Sequence, residues 1–349
     1  MKARISVPTG AVVYDLPLRH RFRGLDRRQG MVWETPAGWT EWSPFPEYGP
    51  AEAAVWLRAA AELAERGWPA PVRTVVPVNV TIPAVGPDVA CRLAAESGCR
   101  TAKVKVAERG QSLGDDLARV EAVRAALGPA GRLRVDANGA WDVDTAERAL
   151  RALNRFDLEY AEQPCATVPE LAELRRRVAR HGILIAADES IRRSGDPEKV
   201  VAAAAADIAI LKVQPLGGIW RCLELAERLG LPVVVSSALE SSIGLAAGLA
   251  LAAALPELPY ACGLNTARLL AADVGEPLVA TGGALPARPG WQAASAREGA
   301  ASTSQNGVLT AAPYVPDPAR LASVQAAPAL AKAWRQRLAQ AQFELFRDS

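Results

Sequence analysis

The middle of the chain alternates two hydrophobic patterns, which predict alternating strands and helices. Short β-branched runs are separated by longer amphipathic stretches rich in Ala, Glu and Arg, and this alternation is typical of repeated βα units. The strand candidates begin 23 to 31 residues apart, enough for a strand, a helix and two short loops. Eight such units close into a (β/α)8 barrel. The candidates are VVPVNV from Val75, TAKVKV from Thr101, RLRVDAN from Arg132, LEYAEQP from Leu158, LIAADES from Leu184, DIAILKV from Asp207, PVVVSSA from Pro232 and YACGLNT from Tyr260.

The flanks lack this alternation. Residues 1–72 contain Trp, Pro and Gly punctuation and then a helical pattern from Ala51 to Arg66, which together indicate a small α+β cap. Residues 285–349 turn polar and rich in Gly, Ser and Pro, and finish in a helical pattern. We therefore predict an α/β protein in which residues 73–284 form the barrel and the flanking segments lie outside it.

Composition narrows the class of protein. A chain of 349 residues that is half hydrophobic can bury a sizeable core. Forty basic and thirty-eight acidic residues leave a net charge of +2, so no strong field favours nucleic acid or an anionic membrane. An anionic ligand would therefore have to be bound by individual charged side chains rather than attracted by the net charge of the protein. We predict a small-molecule partner, with no nucleic-acid, membrane or obligate protein partner.

Cysteine usage and the apolar segments predict a cytoplasmic protein. The five cysteines are scattered and show no CxxC spacing, as expected of reduced thiols. The N-terminus lacks the pattern of a signal peptide. The most apolar stretch, Ile243 to Leu255, ends at Pro256, short of the roughly 18 to 20 residues that span a bilayer. We expect a buried barrel helix there.

Polar residues cluster where the predicted strands end, which is where barrels of this kind place their active sites. In strands 2 and 3 they recur at a spacing of two, so that they share one face of the strand. A single charge of this kind could be a surface residue or a salt-bridge partner. The set comprises Lys103 and Lys105 on strand 2, Arg134, Asp136 and Asn138 on strand 3, Glu162 on strand 4, Asp188 and Glu189 on strand 5, and Lys212 on strand 6.

The positions of these charges around the ring indicate a metal site. Lys105 and Lys212 lie in apolar runs, where an unpaired charge costs several kcal/mol, so an anion must compensate them. Strands 2 and 6 are four apart in a ring of eight, and the acids of strands 3, 4 and 5 lie between them. Three converging carboxylates suit a hard ion such as Mg²⁺, with Mn²⁺ as a substitute.

These parts suit the removal of a proton α to a carboxylate. A metal stabilises the enediolate that forms, and a lysine whose pKa is lowered by burial and by a neighbouring cation can act as the base. Lys103 is placed to be that cation for Lys105. Two other classes stay open: a metal-free Schiff-base aldolase with Lys212 as the nucleophile, and a non-catalytic barrel that serves as a binding module.

The KxK, DxN, E and D(E) motifs followed by a lysine strand resemble the enolase superfamily and, within it, the muconate lactonising branch, over the full chain. A Lys or His base beside Mg²⁺ is that superfamily's pattern. The resemblance implies Asp136, Glu162 and Asp188 as metal ligands and Lys105 and Lys212 as the acid/base pair. It also implies that residues 285–349 return to the cap.

Further segments resemble the o-succinylbenzoate synthases of menaquinone biosynthesis: VVVSSALESSIGLA and CGLNT, and, in the actinobacterial form, PLRHRFRGLDRRQG with GWTEWSPFPEY. This resemblance implies a hydro-lyase that dehydrates 2-succinyl-6-hydroxy-2,4-cyclohexadiene-1-carboxylate to o-succinylbenzoate. Lys105 would take the α-proton and then protonate the departing hydroxyl, while Lys212 would stay cationic over the ring.

The same resemblance implies substrate contacts, and their alternatives stay open. A loop around Arg21, Phe22, Arg23 and Gly24 would close over the substrate. Arg134 could instead be a salt-bridge partner in the barrel core, and Ser236 could satisfy backbone groups at a strand end. Glu189 would orient a ligand or balance Lys212. The residues assigned to the substrate are Arg134, Asn138, Ser236, Gly263 and Arg23.

The nearest rival reaction keeps the site and changes the substrate. An N-succinylamino acid racemase or a dipeptide epimerase would use Lys105 and Lys212 as two bases on opposite faces of Cα. The motifs serve both reactions. The arginine-rich first loop favours the synthase because it suits a dianionic substrate.

Overall fold

The computed structural model describes residues 10–192, 196–286 and 314–347. Its strands and helices follow the predicted alternation between two flanking regions. The strands are β1 (Val12–Phe22), β2 (Leu25–Thr35), β3 (Gly38–Trp42), β4 (Val75–Pro77), β5 (Val80–Ile82), β6 (Thr101–Lys105), β7 (Arg132–Asp136), β8 (Leu158–Glu162), β9 (Ile185–Ala187), β10 (Ile208–Leu211), β11 (Val233–Val235) and β12 (Ala284–Pro286). The helices are α1 (Pro50–Arg66), α2 (Pro87–Glu96), α3 (Leu113–Leu127), α4 (Val143–Leu153), α5 (Val168–Val178), α6 (Asp196–Ala202), α7 (Val213–Leu216), α8 (Ile219–Leu229), α9 (Ser242–Ala254), α10 (Pro318–Ser323) and α11 (Pro328–Arg347).

Strands β5 to β11 form one parallel sheet in sequence order, and a short segment closes it into a barrel. Cys262 bridges to Val78 beside β5, and Gly263 bridges to Ser236 beside β11, both in parallel. The Gly263 amide donates to the Val235 carbonyl at 2.8 Å. Cys262 and Gly263 therefore join the β5 edge of the sheet to its β11 edge. The predicted (β/α)8-type barrel is confirmed.

Two predicted strands differ in detail. The run from Val75 divides: β4 pairs antiparallel with β12, and only β5 belongs to the barrel. Pro77 has no N–H to donate, which interrupts the run between the two strands. The run from Tyr260 contributes only the bridges at Cys262 and Gly263, because a 3-10 helix begins at Thr266.

The cap is built from both ends of the chain. Strands β1, β2 and β3 form an antiparallel sheet, and helices α1 and α11 pack against it in one apolar cluster. The rings of Trp42 and Trp334 meet edge to face, with centroids 5.4 Å apart. The C-terminal helix thus returns to the N-terminal sheet, as predicted. The domain limits at residues 72 and 284 stay predictions, and residues 287–313 lie outside the described residues.

Two carboxylates of the cap fix its position on the barrel by capping barrel helices. Glu41 of β3 accepts from the backbone N–H groups of Ser241 and Gly244 at the start of α9, both at 3.1 Å. Glu62 of α1 accepts from the N–H groups of Trp220 at 3.0 Å and Arg221 at 2.8 Å in α8. Such N–H groups lack partners within their own helix, so these bonds join cap and barrel.

Helix α9 occupies the apolar stretch that predicted a buried barrel helix, and most of its residues are buried. Among the helices in the described ranges, none has the length and apolar character needed to cross a membrane.

Candidate active site

The carboxyl ends of β6, β7 and β8 bring four charged side chains together. Lys103 and Lys105 share one face of β6 because side chains alternate along a strand. The register pairs Lys105 with Asp136 and Asp136 with Glu162. Neighbouring strands lie about 4.8 Å apart, so these side chains are direct neighbours at the barrel mouth.

Each of these carboxylates is bound by lysine. Lys103 Nζ lies 2.7 Å from Glu162 Oε1 and 3.2 Å from Asp136 Oδ2. Lys105 Nζ lies 2.5 Å from Asp136 Oδ2 and donates to Asn138 Oδ1 at 2.6 Å. Both carboxylates are buried, and buried charges require such partners. An ion-pair network of this kind would also serve a purely structural role, so the surrounding pocket matters to the interpretation.

The charges in this cluster shift the proton affinities of its members. Burial lowers the pKa of Lys105, and the charge of Lys103 acts in the same direction against the opposing effect of Asp136. Burial also acts to lower the pKa of Lys103, but Glu162 and Asp136 outweigh it and hold that pKa above its usual value. Lys103 is therefore a fixed cation beside a lysine that gives up its proton more readily.

The acids affect one another as well. Burial, followed by the charges of Asp136 and Asp188, raises the pKa of Glu162 to about 7. Burial would raise the pKa of Asp136 too, but Lys105 and Lys103 hold it well below its usual range. The charges of two predicted metal ligands thus help to raise the pKa of the third.

The far side of the site is organised around Asp188, which follows β9. Lys212 Nζ lies 2.6 Å from Asp188 Oδ2, and Arg192 Nε lies 3.1 Å from Asp188 Oδ1. Arg192 also pairs with Glu189 and donates to the Tyr48 hydroxyl of the cap at 2.7 Å. Glu189 accepts from Asn138 Nδ2 at 3.2 Å. Glu189 therefore contacts Arg192 and Asn138, whereas Asp188 pairs with both Lys212 and Arg192.

A pocket opens beside these groups, and Lys103, Lys105 and Lys212 all line it. The tip of the β1–β2 hairpin covers one side, because Phe22 and Arg23 also line it. Arg23 and Gly24 have φ values of 55° and 74°, as two-residue hairpin turns require. Phe22 lies over Lys105, with Nζ 5.3 Å from the ring centroid, and Arg23 lies 3.4 Å from Glu47.

The opposite wall follows β11. Ser236 lines the pocket and bridges to Gly263. A Cβ on Gly263 would lie 2.4 Å from Ser236 Oγ, so this position has no room for a side chain. The hydroxyls of Ser237 and Thr266 are 2.6 Å apart and also line the pocket.

Arg134 lies in the barrel interior and is fully buried. Its guanidinium donates to Asn79 Oδ1 at 3.2 Å and to the Ala261 carbonyl at 2.7 Å, and pairs with Glu159 at 2.5 Å. It lies 4.6 Å from the Tyr160 ring centroid, and one nitrogen, Nη2, has no hydrogen-bond partner. Its contact with substrate stays a prediction.

Comparisons with known proteins agree with this geometry. Residues 88–294 match the family described as enolase C-terminal domain-like, and residues 13–64 match the enolase N-terminal domain-like family. The o-succinylbenzoate synthase of Thermobifida fusca is 66% identical over 276 residues, covering 79% of this chain and 86% of that protein. That of Mycolicibacterium smegmatis is 51% identical over 327 residues, covering 92% and 91%. The chain belongs to the o-succinylbenzoate synthase family of the enolase superfamily. Members of this family are lyases, and the predictions of family and of enzyme class are confirmed.

Solved structures share the superfamily fold. An N-succinyl Arg/Lys racemase from Bacillus cereus aligns with a TM-score of 0.71 at 18% identity, covering 91% of this chain and 97% of that chain. A muconate lactonizing enzyme from Pseudomonas fluorescens aligns with a TM-score of 0.70 at 21% identity, covering 90% and 98%. At this identity the likeness supports the barrel and cap alone.

The donor set of this o-succinylbenzoate synthase family member fits a divalent ion in chemistry and burial. Asp136, Glu162 and Asp188 are buried carboxylates on neighbouring strand ends. Asp188 Oδ1 lies 3.1 Å from Arg192 Nε but accepts no hydrogen bond. Oxygen donors of this kind are those that Mg²⁺ prefers. In the described ranges, however, no three Asp, Glu, His or Cys side chains are arranged around a common point for a metal.

Sequence reasoning missed several residues of this site. Arg192 carried one local signal, since it follows Asp188 by four positions. Phe45 and Leu239 line the pocket from two distant parts of the chain, and no sequence pattern links them. Phe45 belongs to the cap and Leu239 to the barrel, so only the packing of the cap on the barrel brings them to one pocket.

Proposed function

We propose that the enzyme dehydrates 2-succinyl-6-hydroxy-2,4-cyclohexadiene-1-carboxylate to o-succinylbenzoate, a reaction of menaquinone biosynthesis, with Lys105 as the base and Mg²⁺ as the cofactor. The observation that carries this proposal is a single pocket lined by Lys105 and Lys212, each paired with a buried carboxylate of the predicted metal site. The relatives named o-succinylbenzoate synthase support the choice of substrate.

The proposed reaction removes one proton and one hydroxide from the substrate. Lys105 in its neutral form takes the proton α to the ring carboxylate, and the electrons of that C–H bond form the new double bond of the aromatic ring. The protonated Lys105 then gives its proton to the departing hydroxyl, which leaves as water. A lowered pKa makes the neutral amine more accessible.

Lys212 would stay charged throughout. It lines the pocket and its Nζ lies 2.6 Å from Asp188 Oδ2, which suits a cation placed over the ring. Lys103 would also remain cationic, because its contacts with Glu162 and Asp136 raise its pKa.

Asp136, Glu162 and Asp188 would hold the metal. When bound, a divalent ion would neutralise the negative charge that develops on the substrate carboxylate. Mn²⁺ is the expected substitute for Mg²⁺.

The test is a substrate panel with and without EDTA. We expect o-succinylbenzoate to form from the cyclohexadiene substrate, measured by the absorbance of the aromatic product, and activity to return when Mg²⁺ is restored after EDTA. Absence of turnover beside efficient racemisation of N-succinylamino acids would overturn the proposal.

Racemisation is the second candidate because Lys105 and Lys212 line the same pocket, as a two-base reaction requires. Deuterium incorporation at Cα of N-succinylamino acids and of dipeptides measures it directly. A Schiff-base aldolase would instead leave a borohydride-stable adduct on Lys212 and would keep its activity in chelator. We expect no borohydride-stable adduct on Lys212 and no activity in chelator.

A further inference from the structure

One wall of the pocket is held in a strained conformation. Residues 236–239 follow β11, and all four line the pocket. Leu239 at the end of this segment has a φ of 64°, which costs a branched residue energy and persists only where the surroundings enforce it. Its own N–H donates to Ser237 Oγ at 3.1 Å. The carbonyl of Leu239 also needs a hydrogen-bond donor, since a buried carbonyl is rarely left unpaired.

Arg28 of the cap supplies that donor. It lies on β2 with an exposed fraction of 1%, and it is not among the residues that line the pocket. Its Nε donates to the Leu239 carbonyl at 3.1 Å, and Nη2 lies 3.3 Å from the Ala238 carbonyl. These bonds cross from the cap to the barrel, between residues that are 211 and 210 positions apart in the chain.

The same guanidinium is anchored within the cap. It donates to the carbonyl of Gln29 at 3.0 Å, to the carbonyl of Ser43, and to Ser43 Oγ at 3.0 Å. Ser43 Oγ in turn donates to Glu41 Oε1 at 2.7 Å, the carboxylate that caps α9. Nη2 shares its two N–H groups among three acceptors, which are the Ala238 carbonyl and the two Ser43 oxygens. A planar guanidinium with five N–H groups can reach acceptors in the cap and in the barrel together, whereas an ammonium group with three cannot reach them all.

Arg28 also supports the wall on the cap side. Its guanidinium carbon lies 4.4 Å from the ring centroid of Phe45, and Phe45 lines the pocket. One buried side chain therefore touches, from behind, the ring that forms one wall and the backbone that forms the other.

We infer that Arg28 is a positioning residue of this active site: it fixes the distance between Phe45 and the 238–239 backbone, and hence the width of the pocket where substrate binds. The inference depends on the proposed function only in taking this pocket as the substrate site. Displacement by about 1 Å of groups around a reacting centre can cost about 100-fold in rate, so the loss of this support should appear in kcat/KM.

The experiment compares Arg28→Lys and Arg28→Met with matched changes at Arg124. Arg124 also donates to four carbonyls, those of Phe156 at 3.0 Å, Gly128 at 3.1 Å, Gly131 at 2.8 Å and Asp157 at 3.1 Å. It does so at the opposite end of the barrel, before β7 and β8 begin. Arg124→Lys and Arg124→Met therefore remove a comparable structural clamp without touching the pocket.

Two measurements are made on each protein: the kinetic constants with the cyclohexadiene substrate, and hydrogen exchange of the peptide that covers residues 237–241. We expect both Arg28 variants to lose about 10- to 100-fold in kcat/KM and to exchange faster in this peptide. The Arg124 variants should keep kcat/KM within twofold and show unchanged exchange there.

The inference is overturned if the Arg28 variants keep wild-type kinetic constants, or if the Arg124 variants lose as much activity. Should the Arg28 variants fail to fold, Ser43→Ala removes one anchor of the guanidinium and should give a smaller loss in the same direction; unchanged constants in that variant would also overturn it. If the wild-type protein does not dehydrate the substrate, the proposed function fails, and the exchange measurement still decides whether Arg28 holds the wall.

Discussion

Lys105 Nζ lies 2.5 Å from Asp136 Oδ2, so the lysine proposed as the base is paired with a carboxylate proposed as a metal ligand. The same relationship links Lys212 to Asp188 at 2.6 Å. A divalent ion held by Asp136 and Asp188 would share these carboxylates with the two ammonium groups. Changes at these residues should therefore alter stability and metal affinity as well as activity.

Mg²⁺ should raise the thermal unfolding midpoint of the wild-type protein. An ion that binds only the folded state stabilises it by about 2.7 kcal/mol at a concentration 100 times its Kd. Asp136→Ala and Glu162→Ala should weaken the ion's affinity, measured by calorimetry, and abolish most of this rise. Glu224→Ala, on the exposed face of α8, is the control. An undiminished response in both acid variants would remove these residues from the metal site.

Replacing Lys105 with alanine should remove nearly all turnover and leave metal binding intact. General base catalysis contributes about 10²- to 10⁴-fold, and the loss in kcat should be at least of this size. Calorimetry with Mg²⁺ should give an affinity no weaker than that of the wild type, since one competing ammonium is gone. Lys332→Ala, on the exposed face of α11, should retain activity. Full turnover by Lys105→Ala at saturating Mg²⁺ would show that another group is the base.

Glu240 should make the free energy of unfolding fall as pH rises. Burial, and then the charge of Glu41, raises the pKa of Glu240 from 4.5 to about 7. The folded state therefore binds more protons than the unfolded state between these values, and stability present below pH 4.5 is lost as pH rises through 7. The loss is about 3 kcal/mol.

Denaturant unfolding at pH 4.5, 6 and 7.5 checks this dependence. Glu240→Gln keeps the acceptor for the Ala238 N–H, at 2.6 Å in the wild type, and should flatten the profile relative to the wild type. The exposed Glu257→Gln should leave it unchanged. Identical profiles for Glu240→Gln and wild type would contradict the assignment.

Gly263→Ala should destabilise the barrel at its closure. The added Cβ would lie 2.4 Å from Ser236 Oγ and 3.1 Å from Ser236 Cβ, and overpacking of this kind costs about 1 to 3 kcal/mol. Ser236→Gly removes those atoms, so the double variant should regain part of the loss. A double-mutant cycle in denaturant measures the coupling; strictly additive effects would mean that the strain lies elsewhere.

The sequence predicted those features that depend on local periodicity. Alternation along β6 placed Lys103 and Lys105 on one face, and the order of the βα units made Asp136 and Glu162 neighbours, because successive parallel strands pair. The fold and the arc of acids followed from these rules.

The remaining features depend on contacts that local patterns do not encode. Arg28 and Leu239 meet across 211 positions, and Glu41 meets Ser241 across 200. Which ammonium binds which carboxylate depends on side-chain rotamers, which hydrophobic periodicity does not specify. The first predicted strand likewise contains a local break at Pro77, but its pairing with the distant strand β12 is not encoded near Val75.

The edge-to-face contact of Trp42 with Trp334 joins the first sheet to the last helix. A ribosome releases the chain from its N-terminus, so β1 to β3 emerge long before α11 and must wait while the whole barrel is synthesised. Helix α1 follows β3 and packs on the apolar face that carries Trp42, but the part of this face that contacts Trp334 stays uncovered until α11 is made. Completion of the cap is thus a late step in the synthesis of this protein, since it follows every strand of the barrel.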